Sequence, residues 1–288
     1  MPLTVLCINS SIIYLAWRVS FLLRFADNRV LYLHNAGLFL LMMDSLVVMI
    51  PAYNEALCLP DLLAEVQKSL PDVPVLVIND GSHDATAQVA REHGAHVLNM
   101  PYNAGVGTAV QAGFQYAWQN GYSYLLRLDG DGQHPPSEAH HLLTAMQDGD
   151  VDLVVGSRFG GEKQIVSTRM RYVGVRGLAL FLSMICRSKV TDPTSGFWLV
   201  NRRLLYVFSQ SYPCDYPEPE ALAFVRRLGY SFREVPVRFR PRTAGESSIG
   251  QWDTFFHAFK VLLALIVDRV RPVQPGISAH MVNFHDVN

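Results

Sequence analysis

From Asp44 onward the chain alternates short apolar runs with longer stretches in which apolar residues recur every three or four positions, as βαβ units do. The pattern predicts strands over 46–50, 73–78, 95–99, 123–128 and 151–155, and helices over 55–70, 85–93, 105–119 and 136–147. Runs such as VPVLVI and VDLVV carry no polar alternate, which is what a parallel sheet covered by helices on both faces requires. The expected fold class is α/β, with a Rossmann-like, mostly parallel sheet. Ligands of such sheets bind beyond the carboxyl ends of the strands, so the residues that end each strand carry the information.

Those residues are polar at every turn. The first strand runs into Pro51-Ala52-Tyr53-Asn54-Glu55, the second into Asn79-Asp80-Gly81-Ser82, the fourth into Asp129-Gly130-Asp131-Gly132-Gln133-His134 and the fifth into Gly156-Ser157-Arg158. Beyond Arg158 the charge pattern shifts. Between Ser157 and Thr191 stand seven basic residues, Arg158, Lys163, Arg169, Arg171, Arg176, Arg187 and Lys189, against the one acid Glu162. That half is suited to an anion.

The two ends differ from the middle. Residues 1–42 are apolar, but their longest uncharged run stops at Arg18 and includes Asn9, Ser10 and Ser11, short of the roughly 20 apolar residues of a spanning helix. Met43, followed by Asp44 and a strong strand, reads as a natural start, so 1–42 is expected to be an upstream extension or a marginal membrane segment. Residues 43–250 form the expected catalytic domain, and 251–288 an amphipathic helix with a tail. That helix, over 252–270, sets Trp252, Phe255, Phe256 and Phe259 against Lys260 and Arg269. It is built either to lie in a bilayer interface or to pack on the domain.

Bulk composition narrows the field only a little. With 288 residues, 50% hydrophobic and 17% charged, and a formal net charge of −1, the chain is globular and unlike a nucleic-acid-coating protein. The four cysteines, Cys7, Cys58, Cys186 and Cys214, form no C-x-x-C pair, which points away from structural zinc and a disulfide framework and toward a reducing cytoplasm.

Asp129 and Asp131 flank one glycine at a strand tip, so their carboxylates are placed to share a hard cation with phosphate oxygens. A calcium loop also opens with D-x-D, but here its sixth position is His134 and its twelfth His140, where Gly and Glu are needed. Asp80 ends another strand and is placed either for a ribose hydroxyl or base N–H or for capping the next helix. Asp84 is assigned to capping. The amides of Asn103-Ala104-Gly105 open a helix and are candidates for phosphate. Val110 stands where a dinucleotide fingerprint needs glycine, and no P-loop motif is present, against a dehydrogenase or P-loop enzyme. Among ten histidines only His134 lies beside the aspartates; His140 and His141 are adjacent and expected to point apart.

Taken together, VVMIPAYNEA, VINDGSHDAT, NAGVGTAVQAGF, RLDGDGQHPP, VVGSRF and VTDPTSGFWLVNR resemble glycosyltransferase family 2, in the branch similar to dolichol-phosphate mannose synthase and other polyprenyl-phosphate or cell-surface polysaccharide glycosyltransferases. The resemblance runs from residue 44 to about 250. It implies the GT-A fold, a nucleoside-diphosphate sugar donor, Mg2+ or Mn2+, inversion at the anomeric carbon, and a lipid-phosphate or glycan acceptor. It further implies that Pro51, Tyr53, Glu55 and Asp80 hold the nucleoside. Asp129 and Asp131, with Gln133 close by, would hold metal and diphosphate. Asp192 of TDPTSGF matches the acid placed near the anomeric centre, as general base or acceptor-orienting group, though before Pro193 it also suits a plain turn. Arg158 and Arg171 are candidates for phosphate, for which guanidinium forks are suited. Arg242 matches an arginine of the family's closing segment, whose plain reading is an edge strand with Arg238 and Arg240 exposed and Val237 and Phe239 buried. Glu218 and Glu220 open a helix, where acids suit the dipole, and are left outside the site. The expected location is cytoplasmic and peripheral at the inner face of a membrane, with a possible membrane partner subunit. The rival readings are a sugar-phosphate nucleotidyltransferase and a non-catalytic nucleotide-binding subunit of a polysaccharide assembly complex.

Overall fold

A computed structural model describes residues 41–159, 169–241 and 260–266, with side chains of 169–172 left aside. The chain divides into two compact units, Met1–Leu41 and Met42–Asn288, and the fold below is that of the second.

One seven-stranded sheet forms its centre, with strands β1 (Leu46–Ala52), β2 (Val75–Asn79), β3 (His96–Asn99), β4 (Tyr124–Arg127), β5 (Leu153–Ser157), β6 (Trp198–Asn201) and β7 (Phe232–Pro236). The order across it is β3-β2-β1-β4-β6-β5-β7. All neighbours run parallel except β6, which is antiparallel to both β4 and β5. Every residue of β1 is buried, which explains the unbroken apolar run that marked it. The helices are α1 (Leu59–Ser69), α2 (Thr86–Glu92), α3 (Val106–Gln119), α4 (Ala139–Gln147), α5 (Arg169–Cys186), α6 (Arg202–Gln210) and α7 (Pro217–Arg227). The first helix begins later than its expected start at Glu55 because Glu55–Cys58 form a turn and Pro60 sits in the first helical turn, where its missing N–H costs nothing.

Two consequences of this order place the site. Successive connections leave β1 in opposite directions, toward β2 on one side and β4 on the other, which opens a crevice at the carboxyl ends of β1 and β4. Because β6 is reversed, the segment that enters it, Thr191–Phe197, lies at the same rim as the loops that leave β4 and β5. Beneath the rim, Phe114 of α3 packs on Phe208 of α6 and on Tyr212 with ring centroids 4.9 and 5.2 Å apart. Val261 and Leu265 of the C-terminal helical turn are buried in the same core, while Leu263 and Ile266 are exposed. The rest of the expected 252–270 helix, like residues 1–40, lies outside the described residues.

Candidate active site

The loops after β1 and β2 are stitched together by backbone donors. Asn54 N donates to Ser82 Oγ (3.0 Å), Glu55 N to Thr86 Oγ1 (2.9 Å) and Ala56 N to Asp84 Oδ2 (3.1 Å). Asp84 also accepts from Thr86 N at 2.9 Å, ahead of α2, the capping role expected of it. Tyr53 is left 40% exposed at the rim. Asp80 is buried, and its two oxygens accept the amides of Ala104 (2.8 Å) and Gly105 (3.0 Å). Of the amides expected to face phosphate between Asn103 and Gly107, those of Ala104 and Gly105 are thus taken by Asp80. Each Asp80 oxygen keeps a second lone pair.

The Asp129–Asp131 turn lies against the β1 loop. A Cβ on Gly130 would sit 3.1 Å from Pro51 O and 3.3 Å from Glu55 Cγ, so the glycine is what lets the two loops touch. Asp131 is anchored by Gln133, whose N donates to Oδ1 (3.0 Å) and whose Nε2 donates to Oδ2 (2.6 Å). Asp129 keeps its side chain 35% exposed. It accepts from Arg127 Nη2 at 3.2 Å through Oδ1, and its own N donates to His134 Nδ1 at 3.0 Å. A Cβ on Gly196 would lie 2.9 Å from both Asp129 oxygens, so the segment entering β6 closes over the same carboxylate.

His134 is buried, stacked on Phe197 with centroids 5.2 Å apart and edge-on to Phe239 at 5.0 Å. Burial pushes its pKa down, with the carboxylates of Asp129 and Asp131 working in the other direction. Its Nε2 lies 3.6 Å from Asp129 Oδ2, so His134, Arg127 and Arg158 all stand near the Asp129 carboxylate. Burial alone would raise the Asp129 carboxyl, but its neighbouring positive charges and the Arg127 hydrogen bond hold it below its ordinary value.

Arg158, at the end of β5, and Asp192 form the second charged element. Asp192 is fully buried, and Arg158 grips both its oxygens, Nε to Oδ2 at 2.7 Å and Nη2 to Oδ1 at 2.7 Å, while Arg158 N adds a bond to Oδ2 at 3.0 Å. The guanidinium lies over Phe239, 5.2 Å from its centroid. Behind it Glu234 of β7 accepts from Thr191 N (2.8 Å) and Asp192 N (3.0 Å), and from the Thr191 hydroxyl. Burial raises the Glu234 carboxyl above its usual range despite those bonds.

The structure thus gathers Pro51, Tyr53, Glu55, Asp80, Asp129, Asp131, Gln133, Arg158 and Asp192 at one rim. Arg171 falls in the first turn of α5, its side chain outside the description, and Arg242 lies outside the described residues. The segment before it meets expectation in part: Val237 is buried and Arg238 and Arg240 are exposed, but the strand ends at Pro236 and Phe239 is half-buried. Arg240 N donates to Gln133 O at 3.0 Å, beside the aspartates. His140 and His141 depart from expectation, their ring centroids lying 3.9 Å apart. Arg127 and Glu234 were missed, and Glu218 was noted at its helix start without a partner. The signal for Arg127 was available, since a charged residue inside a strand buried on both faces needs a partner.

Residues 47–208 match the family described as Glycosyl transferase family 2. The chain is 31% identical over 230 residues to the polyprenol monophosphomannose synthase of Mycolicibacterium smegmatis, covering 75% of this chain and 84% of that protein. It is 31% identical over 217 residues to the undecaprenyl-phosphate mannosyltransferase of Micrococcus luteus, covering 70% and 86%. Among solved structures, it resembles glucosyl-3-phosphoglycerate synthase from Mycobacterium tuberculosis in complex with Mn2+, UDP and phosphoglyceric acid, with TM-score 0.61 and 21% identity over 83% of this chain and 84% of that one. That likeness speaks for the fold alone, which is GT-A.

Proposed function

Because the chain belongs to glycosyltransferase family 2, and is therefore a glycosyltransferase, we propose that it moves a sugar from a nucleoside diphosphate to a polyprenyl phosphate, with inversion and with Mg2+ or Mn2+ bound at Asp129 and Asp131. The observation that carries this reading is the contact of the Asp129–Asp131 turn with the Pro51–Glu55 loop at the crevice between β1 and β4. A donor whose nucleoside lies over Tyr53 and Asp80 has its diphosphate directly above the two carboxylates.

The donor set fits such an ion. Two carboxylates at an open strand tip suit Mg2+ or Mn2+, which keep several waters and take the remaining ligands from substrate phosphate. Bound there, the metal supplies charge that neutralises the departing diphosphate. The protein's own groups do the rest. Gln133 fixes Asp131 in place, and Arg158, whose Nε and Nη2 are engaged by Asp192 and Thr194, offers Nη1 and its charge at the end of β5 for an acceptor phosphate, with Arg171 on the following helix. A phosphate oxygen of the acceptor attacks the anomeric carbon from the face opposite the diphosphate. The bond from the carbon to the diphosphate breaks with its electron pair leaving on the diphosphate oxygen, and the new bond leaves the carbon inverted. An ionised phosphate has no proton to lose, so no base is needed. Asp192, both of whose oxygens are taken by Arg158, serves as the orienting group.

An acceptor of this kind lives in a bilayer. Val173, Leu180 and Met184 form an exposed stripe along α5, at helical spacing. Arg176 and Arg187 lie close by, and no acid occurs from Arg169 to Thr191. An apolar stripe with basic flanks suits an anionic interface, which supports a peripheral position at the inner membrane face. Among the described residues no helix is long and apolar enough to cross a membrane.

The test is a donor screen over UDP-, GDP- and dTDP-sugars with polyprenyl phosphate in phosphatidylglycerol vesicles, with and without Mn2+. Transfer is expected with one donor class, to fall below detection on chelation, and to be absent in Asp131→Asn at an unchanged melting temperature. Full activity of that variant sinks the metal assignment. In the same vesicles Leu180→Glu with Met184→Glu is expected to abolish co-sedimentation, and undiminished binding removes α5 from the membrane contact.

A further inference from the structure

Arg127 is the anomaly of the sheet. It stands on the central strand β4, its side chain 1% exposed, and a buried charge is tolerated only where partners compensate it. Its partners are unequal in kind. Nη2 donates both to Asp129 Oδ1 at 3.2 Å and to Glu218 Oε1 at 2.7 Å. Nε and Nη1 are buried with no hydrogen-bond partner, as is the hydroxyl of the neighbouring Tyr212. The guanidinium carbon lies 5.8 Å from the Trp198 ring centroid, and Gly196, whose Cβ would come within 2.9 Å of Nη2, leaves it the room to reach Asp129. Glu218 comes from the first turn of α7, 91 residues further along the chain.

We infer that Arg127 and Glu218 are a positioning pair for the metal carboxylate, with Glu218 holding Arg127 off Asp129 so that Asp129 stays directed at the cation. This inference rests on the metal reading above. Its logic is the sharing of one buried cation by two carboxylates, since Nη2 carries two N–H bonds and gives one to each. With Glu218 ionised, the shorter bond is to Glu218 and the longer to Asp129, so the pair nearly cancels in charge and Asp129 keeps its negative charge for the ion. With Glu218 neutral, Arg127 has Asp129 as its one remaining carboxylate partner. The buried cation then draws Asp129 inward, and its charge offsets half of what Asp129 and Asp131 present to a dication. Neither residue touches substrate.

The experiment measures Mn2+ alone binding to the full chain, from the loss of the free-ion electron paramagnetic resonance signal, with melting temperature recorded in parallel. Glu218→Gln is expected to weaken Mn2+ binding about tenfold, a difference of about 1.4 kcal/mol. The double variant Arg127→Met with Glu218→Gln removes both buried charges and is expected to bind Mn2+ at least as tightly as the unaltered protein. A purely structural role cannot produce that recovery, because the second substitution would add to the damage of the first. Binding by Glu218→Gln within twofold of the unaltered protein overturns the inference, as does a double variant no tighter than the single. Should Glu218→Gln fail to fold, the double variant decides alone, since removing both charges together leaves no buried charge without its counter-ion; Mn2+ binding weaker than in the unaltered protein then overturns the inference. If the unaltered protein itself does not bind Mn2+ more tightly than Asp131→Asn, the metal reading fails first and takes this pair with it.

Discussion

Asp80 and Asp192 are both buried aspartates at the rim of one sheet, and they are held in opposite ways. Asp80 accepts two backbone amides from the start of α3, fixed dipoles that no ligand can pull away. Asp192 is gripped by a guanidinium fork whose side chain is 23% exposed. The first arrangement builds a rigid wall. The second builds a poised cation, because the arginine that binds Asp192 is the group that faces the crevice. On the proposed mechanism, the β1–β2 side of the site serves recognition and the β5–β6 side supplies charge to a reacting phosphate.

The same substitution at the two positions separates these roles. Asp192→Asn is expected to have the larger effect. It leaves Arg158 without its carboxylate, costs about 3 kcal/mol of stability as a broken buried pair, and lowers kcat at least a hundredfold, since the guanidinium that receives the acceptor is no longer fixed. Steady-state kinetics with a saturating donor checks this; a variant with kcat intact and only KM altered would erase the distinction. Asp80→Asn is expected to cost less, about 2 kcal/mol, because the new amide sets a donor against the Gly105 N–H. Its kinetic signature is a raised KM for the donor with kcat nearly unchanged, the mark of lost uniform binding. A fall in kcat at Asp80→Asn would show that the wall also carries the chemistry.

The same contrast explains what could be read before the fold was seen. Strands β1, β2 and β5, and β4 but for Arg127, announced themselves because burial on both faces disfavours polar residues along their length, and the loops that follow them stood out against that background. The amide bonds to Asp80 were hidden, since a backbone donor has no letter of its own and the Asn103–Gly105 segment looked as fit for phosphate as for a carboxylate. Arg158 was visible as a basic residue at a strand end, but its pairing with Asp192 spans 34 residues and depends on a reversed strand, for which no periodicity gave warning. Trp198–Asn201 is a short apolar run that would serve either strand direction. Glu218 illustrates the limit most sharply: at a helix start it fits the dipole rule, and only the fold shows its carboxylate reaching Arg127 on β4.

The reversed strand β6 has a further effect on how the enzyme can vary. The excursion that leaves β5 at Arg158 and returns at Thr191 begins and ends at one spot, clasped by a 2.7 Å ion pair. Lengthening a closed loop costs free energy only as the logarithm of its size. On the proposed reading, the polypeptide between those two clasped ends can be redrawn for a different lipid or glycan while Asp129 and Asp131, on the loop after β4, keep their places.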